Sequence, residues 1–366
     1  MTAAEQENPN LMALNEWPTK DLEFLNCCPI CCSKDRSPTH GALTDRLFGC
    51  APGHWQLHTC AACNTAYIDP RPTEASIGRA YASYFTHTEV GSENKHTARP
   101  TSSHQRLRQW VLAGLNDYRN MRWNTRLKPA KSWGRAVVAV IPPLRSLLTA
   151  HMRHLPRRPP YPGARLLDVG CGSGAFLEMA RSAGWQVQGV DFDPVAVAAA
   201  RSRGLDVRCG GLEQVAKYIG TYDYLTCSHV IEHLHDPKGW VKTMHAMLRP
   251  NGKLWLQTPN IASLGHHRFG ADWRGLEPPR HLTIFNPDSL EAVLHSANFK
   301  VRFLPFPMLM TVPVYDASRN LAKGKPHTDG FAWRSLLHMP TLWNSVIQSL
   351  RPSKAEFITV EATRIG

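Results

Sequence analysis

Acidic residues are scarce in this chain: 29 Asp and Glu stand against 42 Lys and Arg in 366 residues, a net charge of +13. No apolar run approaches the ~20 residues needed to cross a bilayer, which excludes a bundle of membrane-spanning helices. The opening MTAAEQENPN has neither a basic stretch nor an apolar core, so no secretory signal is expected and a cytoplasmic location is. No internal repeat is visible, which sets solenoids aside. Charged residues are only 19% and hydrophobic ones 43%, too apolar for bulk disorder. The length suits one large α/β domain plus a smaller module.

The missing acids are missing in one place. Residues 99–158 hold thirteen Lys and Arg and a single acid, Asp117, a net of +12 that leaves +1 for the rest. Cysteine is also unevenly spread, with seven of ten before residue 64. Cys28-Pro-Ile-Cys31 and Cys60-Ala-Ala-Cys63 form two C-x₂-C pairs, the spacing at which two knuckles close a tetrahedral Zn²⁺ site. Buried free thiols and a redox C-x-x-C fit less well, since two such pairs recur and neither opens a helix in a βαβ pattern. The residue after each second cysteine needs a left-handed backbone; Asn64 suits this and Cys32 does not. Cys27 and Cys32 leave a shifted register open for the first knuckle. A closed four-cysteine site has no free coordination position, so the expectation is structural zinc.

The chain divides into a flexible tail (1–24), a zinc ribbon (25–85), a basic, partly helical linker (86–162) and a main domain (163–366). Within the first module, residues 73–84 read as a short helix with Thr73 as N-cap. In the main domain, candidate strands at 165–170, 186–192, 207–209, 222–228 and 253–258 alternate with helices at 174–184, 194–203, 212–219 and 237–249. That alternation predicts an α/β fold with a mostly parallel sheet. Strands at 300–306 and 356–363 extend it, with the last antiparallel, and insertions fall at about 260–285 and 308–352.

Arg165-Leu-Leu-Asp-Val-Gly-Cys-Gly-Ser-Gly-Ala-Phe-Leu177 is where a strand turns into a helix through Gly170, Gly172 and Gly174. Asp191 follows at the end of the second strand, placed to take both hydroxyls of a ribose. The dinucleotide fingerprint G-x-G-x-x-G is not met, because the third glycine arrives one residue early. Asp168 before the loop fits an aminocarboxylate better than a pyrophosphate.

These motifs, with GVDFDP (189–194), YDYLTCSHVIEHL (222–234) and LRPNGKLWLQTPN (248–260), resemble the Rossmann-like class I S-adenosylmethionine-dependent methyltransferases. The N-terminal cysteines followed by DPRPTE resemble a bacterial subgroup with a small zinc module, which includes C-methyltransferases of nucleotide-activated keto-sugars. The resemblance implies that Asp168, Gly170, Cys171, Gly172 and Gly174 line the methionine part of S-adenosylmethionine. It implies further that Asp191 binds the ribose, Phe192 and the backbone at Leu212 meet the adenine, and Ser228 and His229 reach the amino acid end. Gly211 stands where many members carry an acid contacting the adenine amino group.

His229, Glu232 and His233 fall at i, i+3 and i+4, on one face if helical. Their HxxEH string also marks zinc proteases, but here it follows a strand that leads into the cofactor site. Three readings of the cluster stay open. His233 is a base oriented by Glu232; or His229, Glu232, His233 and His281 hold a divalent metal; or Glu-His caps and packs the loop. The metal reading resembles small-RNA 2′-O-methyltransferases and ubiquinone-pathway O-methyltransferases, which carry ExxEH there. Trp273, Arg280 and Tyr84 are the candidates for holding the acceptor, with Tyr81 beside Tyr84 in the first module.

The expected activity is methylation, at oxygen or carbon, of a small-molecule, activated-sugar or lipid-linked acceptor. The alternatives are a zinc-ribbon RNA methyltransferase and a non-catalytic scaffold. For the basic segment, a solvated linker, an anionic membrane surface and nucleic acid compete. Trp110, Tyr118, Trp123 and Trp133 among the charges favour nucleic acid, while CSHV in place of an (N/D)PP(Y/F) box disfavours it. A membrane reading would place the enzyme at the periphery of the inner surface.

Overall fold

A computed structural model describes residues 16–82, 140, 154–155, 159–305, 310–325 and 339–366. Nearly all of the basic segment, on which the linker, membrane and nucleic-acid expectations fall, lies outside the described residues, as does Tyr84.

The first module contains β1 (Leu22–Glu23), β2 (Arg36–Leu43), β3 (Trp55–Cys60), β4 (Ala66–Ile68) and β5 (Arg71–Pro72). β1 pairs antiparallel with β5, and Trp17 packs its ring edge-on against Trp55 at 5.6 Å. Part of the expected tail is therefore core, and the module starts by Trp17. The helix expected over 73–84 is a 3₁₀ turn, Ile77–Tyr81; Thr73 bonds the Ser76 hydroxyl rather than capping backbone.

The main sheet is built from β6 (Arg165–Val169), β7 (Gln186–Asp191), β8 (Val207–Cys209), β9 (Tyr222–Ser228) and β10 (Leu248–Pro259). It is completed by β12 (Phe299–Phe303) and β13 (Phe357–Arg364) in the order β12-β13-β10-β9-β6-β7-β8. β8, β7, β6, β9 and β10 pair in parallel, while β13 runs antiparallel between β10 and β12. The predicted mostly parallel sheet with an antiparallel last strand is present.

α1 (Ala175–Ser182), α2 (Pro194–Ser202) and α3 (Pro237–Met247) connect the strands. The segment expected as a helix over 212–219 is a kinked 3₁₀ stretch, Leu212–Tyr218. α4 (Leu264–Phe269) and α5 (Pro287–Ser296) follow β10. α2, α3 and α5 begin alike, with Asp193, Asp236 and Asn286 accepting a backbone N–H and a proline at the first turn.

The first insertion does not hang free. Its short strand β11 (Thr283–Ile284) pairs with β4, extending the first module's sheet to the order β11-β4-β3-β2. Trp17, Trp55, Leu57 and Ile68 share one core with Trp273, Leu276 and Ile284. Cys28, Ile30, Cys60 and Tyr67 join a second core with Leu167, Leu225 and Leu256 of the main sheet. The two units are thus welded rather than strung together.

Candidate active site

β7 and β9 lie on opposite sides of β6, so the strand order reverses there and a crevice opens at the strands' carboxyl ends. The glycine loop turns in that crevice. Gly170 and Gly172 have φ of 73° and 51°; a methyl group on Gly170 would strike Val230, whereas one on Gly172 would meet open space. At Gly172 it is the left-handed backbone, not crowding, that favours glycine. The side chain of Cys171 packs inward against Gly189, and its N–H donates to the Val190 carbonyl at 3.2 Å.

Asp191 accepts the Gly172 N–H at 2.7 Å and the Asp193 N–H at 2.9 Å, holding the loop in shape. Burial raises its pKa against those two bonds. Asp168 is buried with one hydrogen bond, from Thr226 Oγ1 at 2.6 Å, and burial pushes its pKa up to about 8. Phe192 is exposed and its ring lies 5.9 Å from Trp240, whose ring edge also sits beside Gly211. Trp240 escaped sequence reading, because an aromatic four residues into α3 reads as core. Leu212 is buried, so only its backbone is available to a ligand.

The HxxEH string is not one helical face. Ile231–His233 forms a single 3₁₀ turn, and His229 before it is left-handed, with φ 56°. His229 Nδ1 lies 3.2 Å from Glu232 Oε1 and its ring abuts Phe357. His233 turns the other way and stacks edge-on against His281 at 4.8 Å. Side-chain donor atoms of Glu232, His233 and His281 all lie within 4.8 Å of one another; His229 is not in that set. Of the four residues in the metal reading, three therefore come together, while His229 meets Glu232 from outside that set.

The cluster's proton positions follow from its neighbours. His233 Nδ1 is 3.0 Å from the Arg280 carbonyl and His281 Nδ1 is 2.8 Å from the Gly275 carbonyl. Carbonyls only accept, so His281 carries its proton on Nδ1 and presents an Nε2 lone pair, while His233 Nδ1–H donates to the Arg280 carbonyl with the Tyr81 hydroxyl as a second acceptor at 2.9 Å. Glu232 is fully buried and accepts from Thr258 at 3.0 Å. Burial opposes its charge, but His229, His233 and His281 overcome it and lower the pKa to about 2. Burial drives His281 down to about 4, keeping it neutral near pH 7.

Two acceptor candidates are corrected. Arg280 has 0% exposure and donates to both oxygens of Asp45, at 2.5 and 2.9 Å, and to the Ala80 carbonyl. Its guanidinium, with no free face, pins the insertion to the first module. Trp273 is buried and donates through Nε1 to Glu356 at 2.7 Å. Tyr81, by contrast, reaches His233 Nδ1 at 2.9 Å.

In the first module, Cys28 and Cys63 sulfurs are 3.7 Å apart and Cys31 and Cys60 sulfurs 3.4 Å, with all four within 4.8 Å. Sulfurs around one tetrahedral Zn²⁺ stand about 3.8 Å apart, so the donor set fits such an ion. Cys32 and Asn64 both adopt left-handed φ and donate their N–H to the Cys28 and Cys60 carbonyls, making two equivalent knuckles. Cys32 takes this conformation despite its Cβ, and Cys27 and Cys32 stay outside the cluster.

A Rossmann-like sheet with a glycine loop at its switch point and an acid ending the second strand defines the class I methyltransferase fold. Residues 144–303 match a family model described as a methyltransferase domain. Ubiquinone biosynthesis O-methyltransferases of Xanthomonas oryzae pv. oryzae are 36% identical over 125 residues, covering 32% of this chain and 52% of theirs. Those of Xanthomonas campestris pv. campestris are 35% identical over the same shares. The chain thus spans about half the length of the curated relatives it matches. Among solved structures, a SAM-dependent methyltransferase from Archaeoglobus fulgidus aligns with TM-score 0.42 and 18% identity, over 60% of this chain and 94% of that one. The [4+2]-cyclase SpnF aligns with TM-score 0.41 and 20% identity, over 71% and 95%.

Proposed function

We propose that this chain transfers a methyl group from S-adenosylmethionine to a hydroxyl of a small-molecule acceptor, with His233 as the base. The observation that carries this reading is the Glu232–His233–His281 cluster, which follows β9 next to the glycine loop. O-methyltransferases among the relatives support oxygen as the target. An activated sugar or a lipid-linked compound is the acceptor class in view.

S-adenosylmethionine, when bound, supplies an electrophilic methyl on a sulfonium. The protein's part is alignment and proton removal. Asp168 would pair with the ammonium of the methionine moiety, which explains an acid kept neutral until a cation comes. Asp191 would take the ribose hydroxyls, and Phe192, Trp240 and the Leu212 backbone would face the adenine. Gly170, Cys171 and Gly172 would line the methionine moiety, with Gly174 starting the helix and Ser228 and His229 beside the amino acid end. His233 Nε2 removes the hydroxyl proton, the Arg280 carbonyl keeps Nδ1–H fixed, and buried Glu232 stabilises the imidazolium that forms. The four cysteines hold Zn²⁺ as a structural ion, with no position left for chemistry.

A second reading has one observation in its favour. Both imidazoles are pinned through Nδ1–H, the usual support of metal ligands, and their lone pairs converge with Glu232. A divalent cation held there would acidify the acceptor hydroxyl.

Extracts incubated with isotopically labelled methyl donor and read by mass spectrometry would give the acceptor and the atom methylated. Turnover of His233→Ala near wild type would remove both the base and the metal readings. Stimulation of the purified enzyme by Mg²⁺ or Mn²⁺, lost in His281→Ala, would select the metal. A chain that binds no S-adenosylmethionine by calorimetry would leave only a scaffold.

A further inference from the structure

The second insertion contains α6 (Thr311–Ala322) and α7 (Met339–Leu350), and α7 is built inside out. Its fully buried positions are polar: Thr341, Ser345 and Gln348. Its exposed positions are apolar: Met339, Trp343, Val346 and Leu350, at 72, 68, 37 and 77%. Their spacing of four, three and four residues places them on one stripe.

The polar face is fully engaged. Gln348 accepts from Thr311 at 2.7 Å and donates to Glu356 at 2.7 Å. Arg319 donates to Thr341 at 3.1 Å, and Asn344 donates to the Tyr315 hydroxyl at 3.1 Å. Hydrogen bonds hold α7 on the protein, so the hydrophobic stripe is free for something else. Facing water, that arrangement is the reverse of an ordinary surface helix.

What covers the stripe follows from charge and area. α7 has no charged residue, and residues 330–354 contain no acid. Exposed cations bracket the stripe: Lys323 and Lys325 end α6 near the start of α7, and Arg351 and Lys354 follow its end. The four side chains offer on the order of 500 Å², below the ~800 Å² per partner of a standard protein interface. An uncharged apolar stripe with a central Trp and cationic ends matches a helix lying in a lipid headgroup layer.

We propose that α7 seats this protein on an anionic bilayer surface. Trp343 and Leu350 enter the acyl boundary, and Lys323, Lys325, Arg351 and Lys354 meet lipid phosphates. The net charge of +13 adds long-range attraction.

The test is flotation of the purified full chain with vesicles of phosphatidylcholine alone or mixed with phosphatidylglycerol. Wild type should float with the anionic vesicles, and Trp343→Ser/Leu350→Ser should partition about tenfold less. Lys323→Glu/Arg351→Glu should abolish the difference between the two lipid mixtures. Should the double serine variant lose its thermal transition, Leu350→Ser alone carries the comparison, with a loss of about threefold expected. Wild type that stays unbound, or a serine variant that floats equally well, overturns the proposal. So does a wild-type dimer in sedimentation that the serine variant dissolves without any lipid binding, which would assign the stripe to a second copy.

Discussion

Tyr81 sets its hydroxyl 2.9 Å from Nδ1 of His233, across 152 residues of sequence. The cysteine-bearing module therefore reaches the Glu232–His233–His281 cluster, and His233 is gripped from two sides, by Tyr81 and the Arg280 carbonyl. A neutral hydrogen bond contributes about 1 kcal/mol, roughly fivefold in rate. Tyr81→Phe should lower kcat by about that factor and leave KM nearly unchanged. Steady-state kinetics check it. Loss concentrated in KM would instead mean that Tyr81 binds the acceptor.

The Arg280–Asp45 pair is buried on both sides, with Phe48, Cys50 and Ala51 N–H groups also donating to Asp45. Removing one partner leaves an unpaired charge in a dry site, at a cost of about 3–5 kcal/mol. Arg280→Met should reduce unfolding free energy by about that amount, and Asp45→Asn in the same chain should return part of it. Denaturant melts of the four-member cycle measure the coupling. Additive effects would show that the pair does not tie the insertion to the first module.

The glycine loop, Asp168, Asp191 and the cysteine knuckles were legible because each depends on local chain geometry at fixed spacing. The mostly parallel sheet followed from strand–helix alternation, whereas its strand order did not. Arg280 and Trp273 were misread because burial is a tertiary property: a polar-looking loop gives no sign that β11 will pair with β4 and draw it inside. His229 parted from His233 because three residues of 3₁₀ turn rotate side chains differently from an α-helix. α7 and its inverted face were not read from the sequence, because which face turns inward depends on partners such as Thr311 and Glu356.

Glu356 is buried among neutral donors, the Gly265 N–H at 2.9 Å, Gln348 at 2.7 Å and Trp273 at 2.7 Å, near Tyr315 and Ser263. Burial outweighs them and raises its pKa to about 7. Between its unfolded pKa and 7 the folded chain holds the extra proton, so its contribution is full below about pH 4.5 and is lost as pH rises through 7. The span corresponds to about 3 kcal/mol. His266, pushed down by burial to about 4, works the other way and costs stability as pH falls below about 6.5. Thermal melts from pH 5 to 8 should show Glu356→Gln flattening the fall between pH 5 and 7. An unchanged pH slope would mean that Glu356 is already ionised in the folded protein.

The two cysteine knuckles sit in the same core as Leu167 and Leu256 of the main sheet, so metal loss should not stay local. Elemental analysis should return one zinc per chain, falling to none in Cys60→Ser/Cys63→Ser. Because Tyr81 and the β4–β11 pairing depend on the module, the same variant should lose methyl transfer while the glycine loop still binds S-adenosylmethionine. Calorimetry alongside the activity assay separates the two outcomes. Full activity in a zinc-free chain would show that the cysteine module is dispensable for placing His233, and the positioning role of Tyr81 would fall with it.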